Sequence, residues 1–575
     1  MTETEKKAGL IPPYGGTLVD LVAGERQKKE LLAKSKLLPS LQISYRSQCD
    51  LEMLAIGGFS PLDRFMGEKD YKTVLKDMRL SDGTLFPIPI TLPVDDAQNA
   101  KIGKEYTIRS RENMILAIMR VDEMYAWDLE EEATAVLGTT DSRHSLVSEM
   151  HTWGTSYLSG PLTVINLPKH YDFRELRKTP KEIRTMLEER GCENVVCFQP
   201  RNPMHRAHEA LTKMAMDELQ SALLIQAVTG VTRRGHLDDY ARVRCYEALV
   251  KNYYDPERAF LNLLPMATRV AGPRAALWHA IINRNYGVNQ LIVGRDNVVH
   301  EKDSKGKHFY DLYRVQKMFK EHEQELGVRL VPFKKMVYVP REDAYEEIDK
   351  ALHEGKEYLS LSGTRIIEDS WSIERNLPEW FTRPEISRII LEFNPPKTKR
   401  GFCVWFTGLP SSGKSTIADI LAPMLMSKGK RVTVLDGDRV RLHLTKGLAF
   451  TKEDRISNVL RVGFVASEVV KHNGVALCAL ISPYTSARDK VRAMIGEDRF
   501  LEVFVDTPVE VCETRDVKGM YAMAKAGAIK SFTGVDDTYE RPDNPELQIR
   551  TVDMSPEESA LLVLRMLKEK GFVKD

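Results

Sequence analysis

Residues 402–426, FCVWFTGLPSSGKSTIADILAPMLM, decide the fold of the C-terminal part of this chain. A strand-like apolar run leads into a loop rich in glycine and serine, and the loop leads into a helical pattern. Gly408, Gly413, Lys414 and Ser415 have the spacing G-x-x-x-x-G-K-[ST]. In that pattern backbone N–H groups surround phosphates, the lysine meets the β and γ oxygens, and the hydroxyl reaches Mg²⁺. The stretch therefore predicts an α/β domain with a phosphate-binding loop between a strand and a helix.

Two carboxylates follow the next strand-like run. Asp436 and Asp438 lie in VLDGDRVR, residues 434–441, at a strand end where α/β sheets bind their ligands. One of them can complete a metal shell while the other accepts a proton from an attacking hydroxyl. A solvated turn also uses the pattern D-G-D, so the spacing alone leaves that interpretation open.

The composition limits the classes of function. The 575 residues contain 83 basic and 82 acidic side chains, for a formal net charge of +1, and this balance predicts no general nucleic-acid-binding surface. The N-terminus lacks a secretory pattern, no apolar run approaches the roughly 18 residues of a membrane span, and the seven scattered cysteines form no disulfide or zinc pattern. We expect a cytoplasmic multidomain protein without nucleic-acid or membrane partners and without a tightly bound cofactor.

The apolar runs also divide the chain. Residues 85–165 alternate short β-rich runs with turn formers, whereas from about residue 190 strand-like runs alternate with helical patterns, as in a parallel sheet with crossover helices. EFNPPKTKRGF, residues 392–402, has the Pro-Pro pair and basic residues of a linker. The predicted fold class is α/β multidomain. Its divisions are a β-rich domain over 1–168, a Rossmann-like domain over 169–330, a small α/β domain over 331–392, a linker over 393–400 and the phosphate-loop domain over 401–575.

The segment from Gly401 to Thr551 resembles the adenylyl-sulfate kinases, a family of P-loop kinases. Collinear blocks carry the resemblance, among them GLPSSGKSTIA, LDGDRVR, GLAFTKEDRISNVLRVGFVA, ISPYTSARDKVR and KGMYAMAKAGAIKSFTGVDDTYERP. The resemblance implies transfer of a phosphoryl group from ATP, with Mg²⁺, to the ribose 3′-hydroxyl of adenylyl sulfate (APS), giving 3′-phosphoadenylyl sulfate (PAPS). Asp438 would activate that hydroxyl. One departure is Arg439, which replaces the asparagine of the family pattern D-G-D-N.

The kinase resemblance implies two sets of binding residues. The ATP phosphates would be held by Gly408, Gly413, Lys414, Ser415 and Thr416, with Mg²⁺ on Ser415 and Lys414 acting in catalysis. APS would be held by Asp436, Asp438, Arg441, Phe450, Arg455, Asn458, Ser482, Lys525 and Phe532, the two phenylalanines sandwiching its adenine.

QPRNPMHRAHEA, residues 199–210, follows another strand-like run and carries the second chemical motif. His205 and His208 lie one turn apart on a predicted helix. They could bind zinc, they could be ordinary polar residues of a helix start, or they could stabilise phosphate charge during nucleotidyl transfer. No H-E-x-x-H pattern or third ligand can be nominated, so the residues favour transfer. Histidines can carry charge near neutral pH, and Gln199 and Arg201 would form an oxyanion pocket beside them.

From about residue 10 to residue 392 the chain resembles the ATP sulfurylases. The blocks include PPYGGTLVDL, DLEMLAIGGFSPLDRFMGEKDY, FQPRNPMHRAHE, MATRVAGPRAALWHAIINRNYG, LIVGRD and LPEWFTRPE. The resemblance implies a PUA-like N-terminal domain, a central nucleotidylyltransferase domain and the reaction of ATP with sulfate to APS and pyrophosphate, or its reverse. It also makes a homo-oligomer, a dimer or a hexamer, plausible.

The sulfurylase resemblance again assigns residues. Arg201 and His205 would be catalytic; Gln199 and Arg201 would hold sulfate, Asn202 and His205 the α and β phosphates, and His208 the nucleotide. The implied ATP and sulfate site comprises Gln199, Arg201, Asn202, His205, His208, Gly294, Arg295, Asp296 and Val337. Arg269 and Arg274 would supply further positive charge.

The sulfurylase pattern is altered at three of its motifs, one of them the segment RIIEDSWSIER after SGT. The family's GRDHAGPG reads GRDNVVHE, with Asn297 at the histidine position, and Gln226 stands where a second histidine is expected. Each lost contact at a buried transition state costs about 10²- to 10³-fold in rate, unless His236 or His300 takes over.

Three functions follow from these observations. The first is a bifunctional enzyme that makes APS and then PAPS. The second is an APS kinase whose sulfurylase-like part is inactive or acts on another oxyanion. The third is a sulfurylase whose C-terminal domain is an allosteric nucleotide-binding module.

Overall fold

A computed structural model of the chain describes residues 9–95, 100–230, 239–294, 307–360, 377–393, 395–449, 451–516, 519–527 and 532–574. The described chain divides into two compact units. The first comprises the described residues between 9 and 360 together with Leu377–Phe393, and the second comprises those from 395 onward. Among these residues, no helix combines the length and the apolar character that crossing a bilayer requires.

Two small sheets form the N-terminal part of the first unit, with strand orders β1-β3-β4-β7 and β2-β6-β5. The strands are β1 (Ser40–Gln42), β2 (Leu92–Val94), β3 (Glu105–Arg109), β4 (Ile115–Arg120), β5 (Glu123–Ala126), β6 (Ser156–Ser159) and β7 (Leu162–Val164). The helices are α1 (Glu25–Ser35), α2 (Tyr45–Ala55), α3 (Glu68–Asp77), α4 (Leu129–Glu132), which continues into a π-helical turn (Ala133–Leu137), and α5 (Ser145–Met150). Only β1 and β3 pair in parallel; the other pairs are antiparallel. The predicted β-rich character of this region is confirmed.

A five-stranded parallel sheet of order β10-β9-β8-β11-β12 forms the centre of the first unit. Its strands are β8 (Val195–Phe198), β9 (Ala222–Val228), β10 (Ala259–Leu264), β11 (Gln290–Val293) and β12 (Arg329–Pro332). Its helices are α6 (Pro180–Glu189), α7 (Arg206–Glu218), α8 (Asp239–Tyr253), α9 (Gly272–Asn285) and α10 (Leu312–Leu326). The chain leaves β8 toward β9 and β10 and later returns on its other side through β11, so the strand order reverses between β8 and β11. Ligands bind at such a reversal, outside the carboxyl ends of the strands.

One hydrophobic core joins the N-terminal sheets to the central sheet, because its buried side chains run from Tyr14 to Leu330. Arg269 is buried there and donates to both carboxylate oxygens of Asp50, at 2.9 and 2.7 Å. Arg274 donates to the backbone carbonyls of Val74, Leu75 and Pro87. The expectation that Arg269 and Arg274 supply charge to a substrate is therefore wrong, since both guanidinium groups are used inside the fold.

A hairpin and two helices complete the first unit. They are β13 (Met336–Val339), β14 (Ala344–Glu347), α11 (Ile348–His353) and α12 (Pro384–Phe393), the last packed on α8. Val337 is buried in a small core with Val339 and Ala351. Its side chain therefore faces that core, which leaves at most its backbone for the predicted ligand contact.

The second unit repeats the parallel architecture with the order β16-β17-β15-β18-β19. The strands are β15 (Phe402–Thr407), β16 (Val432–Asp436), β17 (Val475–Ala479), β18 (Phe500–Val505) and β19 (Leu547–Ile549). The helices are α13 (Lys414–Met426), α14 (Gly437–His443), α15 (Lys452–Lys471), α16 (Thr485–Ile495), α17 (Val509–Arg515), α18 (Met520–Lys525) and α19 (Pro556–Glu569). Hydrophobic cores cover the sheet on both faces. The loop after β15 lies at the reversal of strand order, as the quoted stretch predicts.

The described part of the predicted linker is held against the second unit. Residues 397–399 form a 3-10 turn, and the ammonium group of Lys397 lies 4.9 Å from the ring centroid of Phe572. Lys430 donates a hydrogen bond to the carbonyl of Thr398, and the Arg400 Nε donates to the carbonyl of Pro395 at 2.8 Å. The stretch is thus part of the packed C-terminal unit from residue 395 onward.

Candidate active sites

The loop after β15 has the backbone that phosphate binding needs. Gly408 and Gly413 have φ values of 149° and 104°, a region in which a side chain is strained. A Cβ on Gly408 would also lie 2.6 Å from the carbonyl oxygen of Val505. Lys414 begins α13, and its Nζ donates to the carbonyls of Gly408 and Leu409 at 3.0 and 2.6 Å. The lysine is thereby held over the loop whose amides would receive phosphate oxygens.

Ser415 and the two predicted carboxylates meet at the end of β16. The Ser415 hydroxyl donates to Asp436 Oδ2 at 2.5 Å, and Asp436 Oδ1 accepts the backbone N–H of Asp438 at 3.0 Å, capping α14. Asp436 is therefore committed to the hydroxyl and the helix start. These contacts distinguish Asp436 from Asp438, whereas the sequence alone left their roles interchangeable.

One cavity of about 670 Å³ collects most of the predicted kinase residues. Its lining includes Gly413, Lys414, Ser415, Thr416, Asp436, Asp438, Arg441, Arg455, Asn458, Ser482 and Phe532. Arg455 donates to the Thr533 hydroxyl at 2.6 Å, while the side-chain oxygen of Asn458 is buried without a partner among the described residues. Burial lowers the pKa of Arg441 from its usual value, and the nearby charge of Arg455 lowers it further. The cavity thus joins phosphate-loop groups, two carboxylates, three guanidinium groups and an aromatic ring.

Among the described residues, two predicted kinase residues are not open groups of this cavity. Lys525 donates to Glu513 at 2.7 Å and is not part of the lining. Ser482 lines the cavity, but its hydroxyl is buried between Trp405 Nε1, at 3.0 Å, and the Thr407 hydroxyl, at 3.1 Å. Phe450 lies outside the described residues.

Arg515 also lines the cavity, although no sequence motif singled it out. Its guanidinium donates to the hydroxyl and the carbonyl of Thr551, each at 3.0 Å, and the Thr551 hydroxyl meets that of Thr507 at 2.6 Å. Thr507 precedes α17 and Arg515 ends it, whereas Thr551 follows β19, 36 residues after Arg515 in the chain. No local pattern could therefore have brought them together.

The second candidate site follows β8 in the first unit. Gln199 is buried at the strand end, Arg201 is half-buried, and Asn202 is exposed. The backbone of this turn is fixed from α8, because Arg242 donates to the Arg201 carbonyl at 2.8 Å and Tyr246 donates to the Asn202 carbonyl at 2.9 Å. The structure therefore places the predicted oxyanion-binding side chains together at the reversal of strand order.

His205 and His208 cap the start of α7. The Nδ1 of His208 accepts the backbone N–H of His205 at 3.2 Å, and the ring of His205 lies 4.2 Å from that of Phe381 and 3.1 Å, at Nδ1, from the Thr382 hydroxyl. Burial lowers the pKa of His205 to about 3. The expectation that this ring carries charge near neutral pH is therefore wrong in this structure, in which His205 is a neutral group.

Gln226 is buried beneath the site. Its Nε2 donates to Asn283 Oδ1 at 3.1 Å, and its Oε1 accepts from Asn262 Nδ2 at 2.8 Å. Both ends of the amide are therefore used within the fold. A change at this position acts on the support of the site and not through direct contact with a substrate.

Only one of the remaining predicted residues of this site belongs to the described residues. It is Gly294, which directly follows β11, and a Cβ there would lie 3.0 Å from the Phe333 ring. Arg295, Asp296, Asn297, His236 and His300 lie outside the described residues. Across the described ranges, no group of three or more histidine, cysteine or carboxylate side chains could hold a metal ion.

Comparisons with known proteins support this division of the chain. Three family models match it: the PUA-like domain over residues 11–167, ATP-sulfurylase over 174–393 and adenylylsulphate kinase over 400–550. The chain is 41% identical over 571 residues to the sulfate adenylyltransferase of Phaeosphaeria nodorum, an alignment that covers 98% of this chain and 99% of the relative. It is also 41% identical over 569 residues to the sulfate adenylyltransferase of Yarrowia lipolytica, with coverage of 97% and 99%.

A solved structure shares the whole architecture. It is described as the hexameric APS kinase from Thiobacillus denitrificans and matches with a TM-score of 0.78 and 32% identity, covering 98% of this chain and 100% of that one. The predicted fold class and the resemblance to both enzyme families are confirmed. This chain is a transferase of the sulfate adenylyltransferase family, in the form that joins ATP-sulfurylase and adenylylsulphate kinase domains.

Proposed function

We propose that the chain is bifunctional: the first unit makes APS and pyrophosphate from ATP and sulfate, and the second unit phosphorylates APS to PAPS. The observation that carries the proposal is the cavity of the second unit, where the phosphate loop and the two aspartates face the groups suited to a sulfated nucleotide. The family models for both enzymes support the same division of labour.

The contacts of Asp436 and Asp438 support different roles. Asp436 is tied to Ser415 and to the start of α14, which suits a residue that holds the metal side of the site. Asp438 lies in the same cavity, near the charge of Arg441. We assign Asp438 to accept the proton of the ribose 3′-hydroxyl as the phosphoryl group leaves ATP. Lys414 would exchange its loop carbonyls for β and γ phosphate oxygens.

Magnesium fits the donor set of this cavity. The Ser415 hydroxyl and the Asp436 carboxylate are adjacent oxygen donors, and Mg²⁺ prefers a few such ligands together with substrate phosphates and water. When bound, the ion would neutralise charge on the β and γ phosphates. We therefore propose Mg²⁺ as the cofactor that ATP brings to the second unit.

In the first unit, neutral hydrogen-bond donors and one guanidinium would bind sulfate and the ATP phosphates. Gln199 and Arg201 lie at the end of β8, where sulfate would bind. The start of α7, which the His208 ring caps, follows them. His205 would donate a hydrogen bond to the phosphates as an uncharged ring. This arrangement supports adenylyl transfer through placed donors more than through histidine charge.

One assay separates the candidate functions. The full chain would be given ATP, Mg²⁺ and either sulfate or APS, with pyrophosphate and PAPS measured separately. Asp438→Asn should lower the rate of PAPS formation by about 10²-fold or more and leave pyrophosphate release unchanged. Arg201→Ala should do the reverse, because it removes the guanidinium of the oxyanion site. Asp489→Asn and Arg388→Ala, on exposed positions of α16 and α12, are the matched controls.

Each alternative predicts a different result in this assay. PAPS formation without pyrophosphate release from sulfate would leave only the kinase function, with the first unit inactive or acting on another oxyanion. Pyrophosphate release without PAPS would favour an allosteric C-terminal unit.

The assembly and the location of the chain are further proposals. The structurally similar APS kinase from Thiobacillus denitrificans is described as hexameric, so we propose a homo-oligomer, with a hexamer as the first state to test by sedimentation. A cytoplasmic location stays a prediction from the sequence.

A further inference from the structure

The helix α9 carries a buried histidine whose ring has no hydrogen-bond partner among the described residues. Both ring nitrogens of His279 lack a partner there, although the residue is only 8% exposed. Gln199 is 5% exposed, and its Nε2 also lacks a partner within the described ranges. Buried polar atoms without a partner destabilise the fold unless something binds them.

The strand and the helix place these two side chains opposite each other. Cys197 on β8 contacts Asn283 on α9, with Sγ and Oδ1 3.0 Å apart. Gln199 follows two residues later, just beyond the end of β8 at the carboxyl edge of the sheet. Continued strand alternation would place its side chain on the same side as Cys197. One turn earlier on α9, His279 is next to Asn283, whose Nδ2 donates to the His279 carbonyl at 2.7 Å.

The direction of the helix completes this argument. As the crossover between the parallel strands β10 and β11, α9 runs antiparallel to them, so one turn earlier also means closer to the carboxyl edge. Relative to the contacting pair Cys197 and Asn283, both Gln199 and His279 therefore lie closer to the carboxyl edge of the sheet. Arg201 follows Gln199 by two residues, and its charge acts on the His279 ring.

The guanidinium of Arg201 lies close enough to the His279 ring for its positive charge to act on it. Burial lowers the pKa of His279 to about 3, and the charge of Arg201 lowers it further. The ring is therefore neutral, with one N–H to donate. A small tetrahedral oxyanion would satisfy the N–H groups of His279 and Gln199 and the charge of Arg201 at the same time.

We propose that His279 is an oxyanion-binding residue of the first unit and donates one hydrogen bond to the anion that Gln199 and Arg201 hold. The proposal rests on the proposed sulfurylase function for the identity of the anion, which is sulfate. The geometry itself requires only a small oxyanion that accepts hydrogen bonds on several sides.

The test measures the binding of inorganic sulfate to the full chain by calorimetry. An ATP analogue with a methylene group between the α and β phosphates is present, so no adenylyl transfer occurs. His279→Leu should weaken sulfate binding by about tenfold or more, because a donor to a charged acceptor is lost. His279→Asn, which keeps an N–H donor, should stay within about threefold of the unchanged chain. PAPS formation from APS, which uses the other unit, should not change in either variant.

A stability measurement distinguishes a binding role from a structural one. Without sulfate, His279→Leu should unfold at the same temperature as the unchanged chain or higher, because the leucine removes two orphaned polar atoms from a buried site. The rise in unfolding temperature that sulfate causes should shrink in this variant. A variant that melts earlier and still binds sulfate normally would overturn the proposal and assign His279 to the fold.

The outcomes also separate this proposal from the proposed function. If the unchanged chain binds sulfate through His279 but releases no pyrophosphate, the binding role stands and the sulfurylase activity fails. If it releases pyrophosphate and His279→Leu releases it with the same KM for sulfate, only the role of His279 fails. If the unchanged chain binds no sulfate, the proposal fails.

Discussion

Gln226 offers a direct test of whether the altered sulfurylase motif lies at the site or beneath it. Gln226→Leu would leave Asn262 Nδ2 without its Gln226 partner and Asn283 Oδ1 with only the weak thiol donor of Cys197, in a place from which water is excluded. The orphaned donor costs about 1–3 kcal/mol and the second lost hydrogen bond about 1 kcal/mol, while burial of the leucine returns on the order of 2 kcal/mol, so we expect a net loss of about 1 kcal/mol. Gln226→His should cost less than Gln226→Leu, because one neutral tautomer can donate to Asn283 while accepting from Asn262.

Hydrogen exchange of the backbone amides of β9 and α9 would measure this change locally, with PAPS formation by the second unit as the control for an intact chain. Pyrophosphate release should not increase in Gln226→His, since the ring would lie below the substrate. The reasoning would be refuted by faster pyrophosphate release in Gln226→His, or by unchanged exchange in Gln226→Leu.

Two further predictions concern the core of the first unit. Arg269→Met should destabilise this unit by about 3–5 kcal/mol in thermal unfolding, because it leaves the buried carboxylate of Asp50 unpaired; the double variant with Asp50→Leu should recover most of the loss. Burial raises the pKa of Glu132 to about 7, above its unfolded value, so its contribution to stability is present at pH 4 and is lost as pH rises through 7. Glu132→Gln should therefore be more stable than the unchanged chain at pH 8 and should lose that advantage at pH 5, and equal pH profiles for the two would contradict the assignment.

The phosphate-binding loop was predictable because its chemistry is local. The strand, the two glycines, Lys414 and Ser415 are adjacent in the chain, so the spacing determines the geometry. The carboxylate pair was predictable as a pair but not in its roles. The contact between Ser415 and Asp436 joins two elements and has no trace in the spacing of either.

The first unit shows why other side chains could not be assigned from the sequence. Arg269 and Arg274 stand in a basic motif, but their partners come from residues 50 and 74–87, far away in the chain. Gln226 marks a departure from a family pattern, and only the packing of β9 against α9 shows that its amide is used internally. His279 is one of many buried positions on α9, and its proposed role in anion binding depends on the side chains that lie opposite it.

The cap of α7 links the formation of this helix to the tautomer of the His208 ring. The Nδ1 of His208 accepts a backbone N–H, so that nitrogen carries a lone pair, and the proton of the neutral ring must lie on Nε2. The tautomer is therefore selected when the first turn of the helix forms. Protonation of Nδ1 would break the cap, which is worth about 1 kcal/mol at a helix start. The first turn of α7 therefore depends on one nitrogen of this ring staying unprotonated.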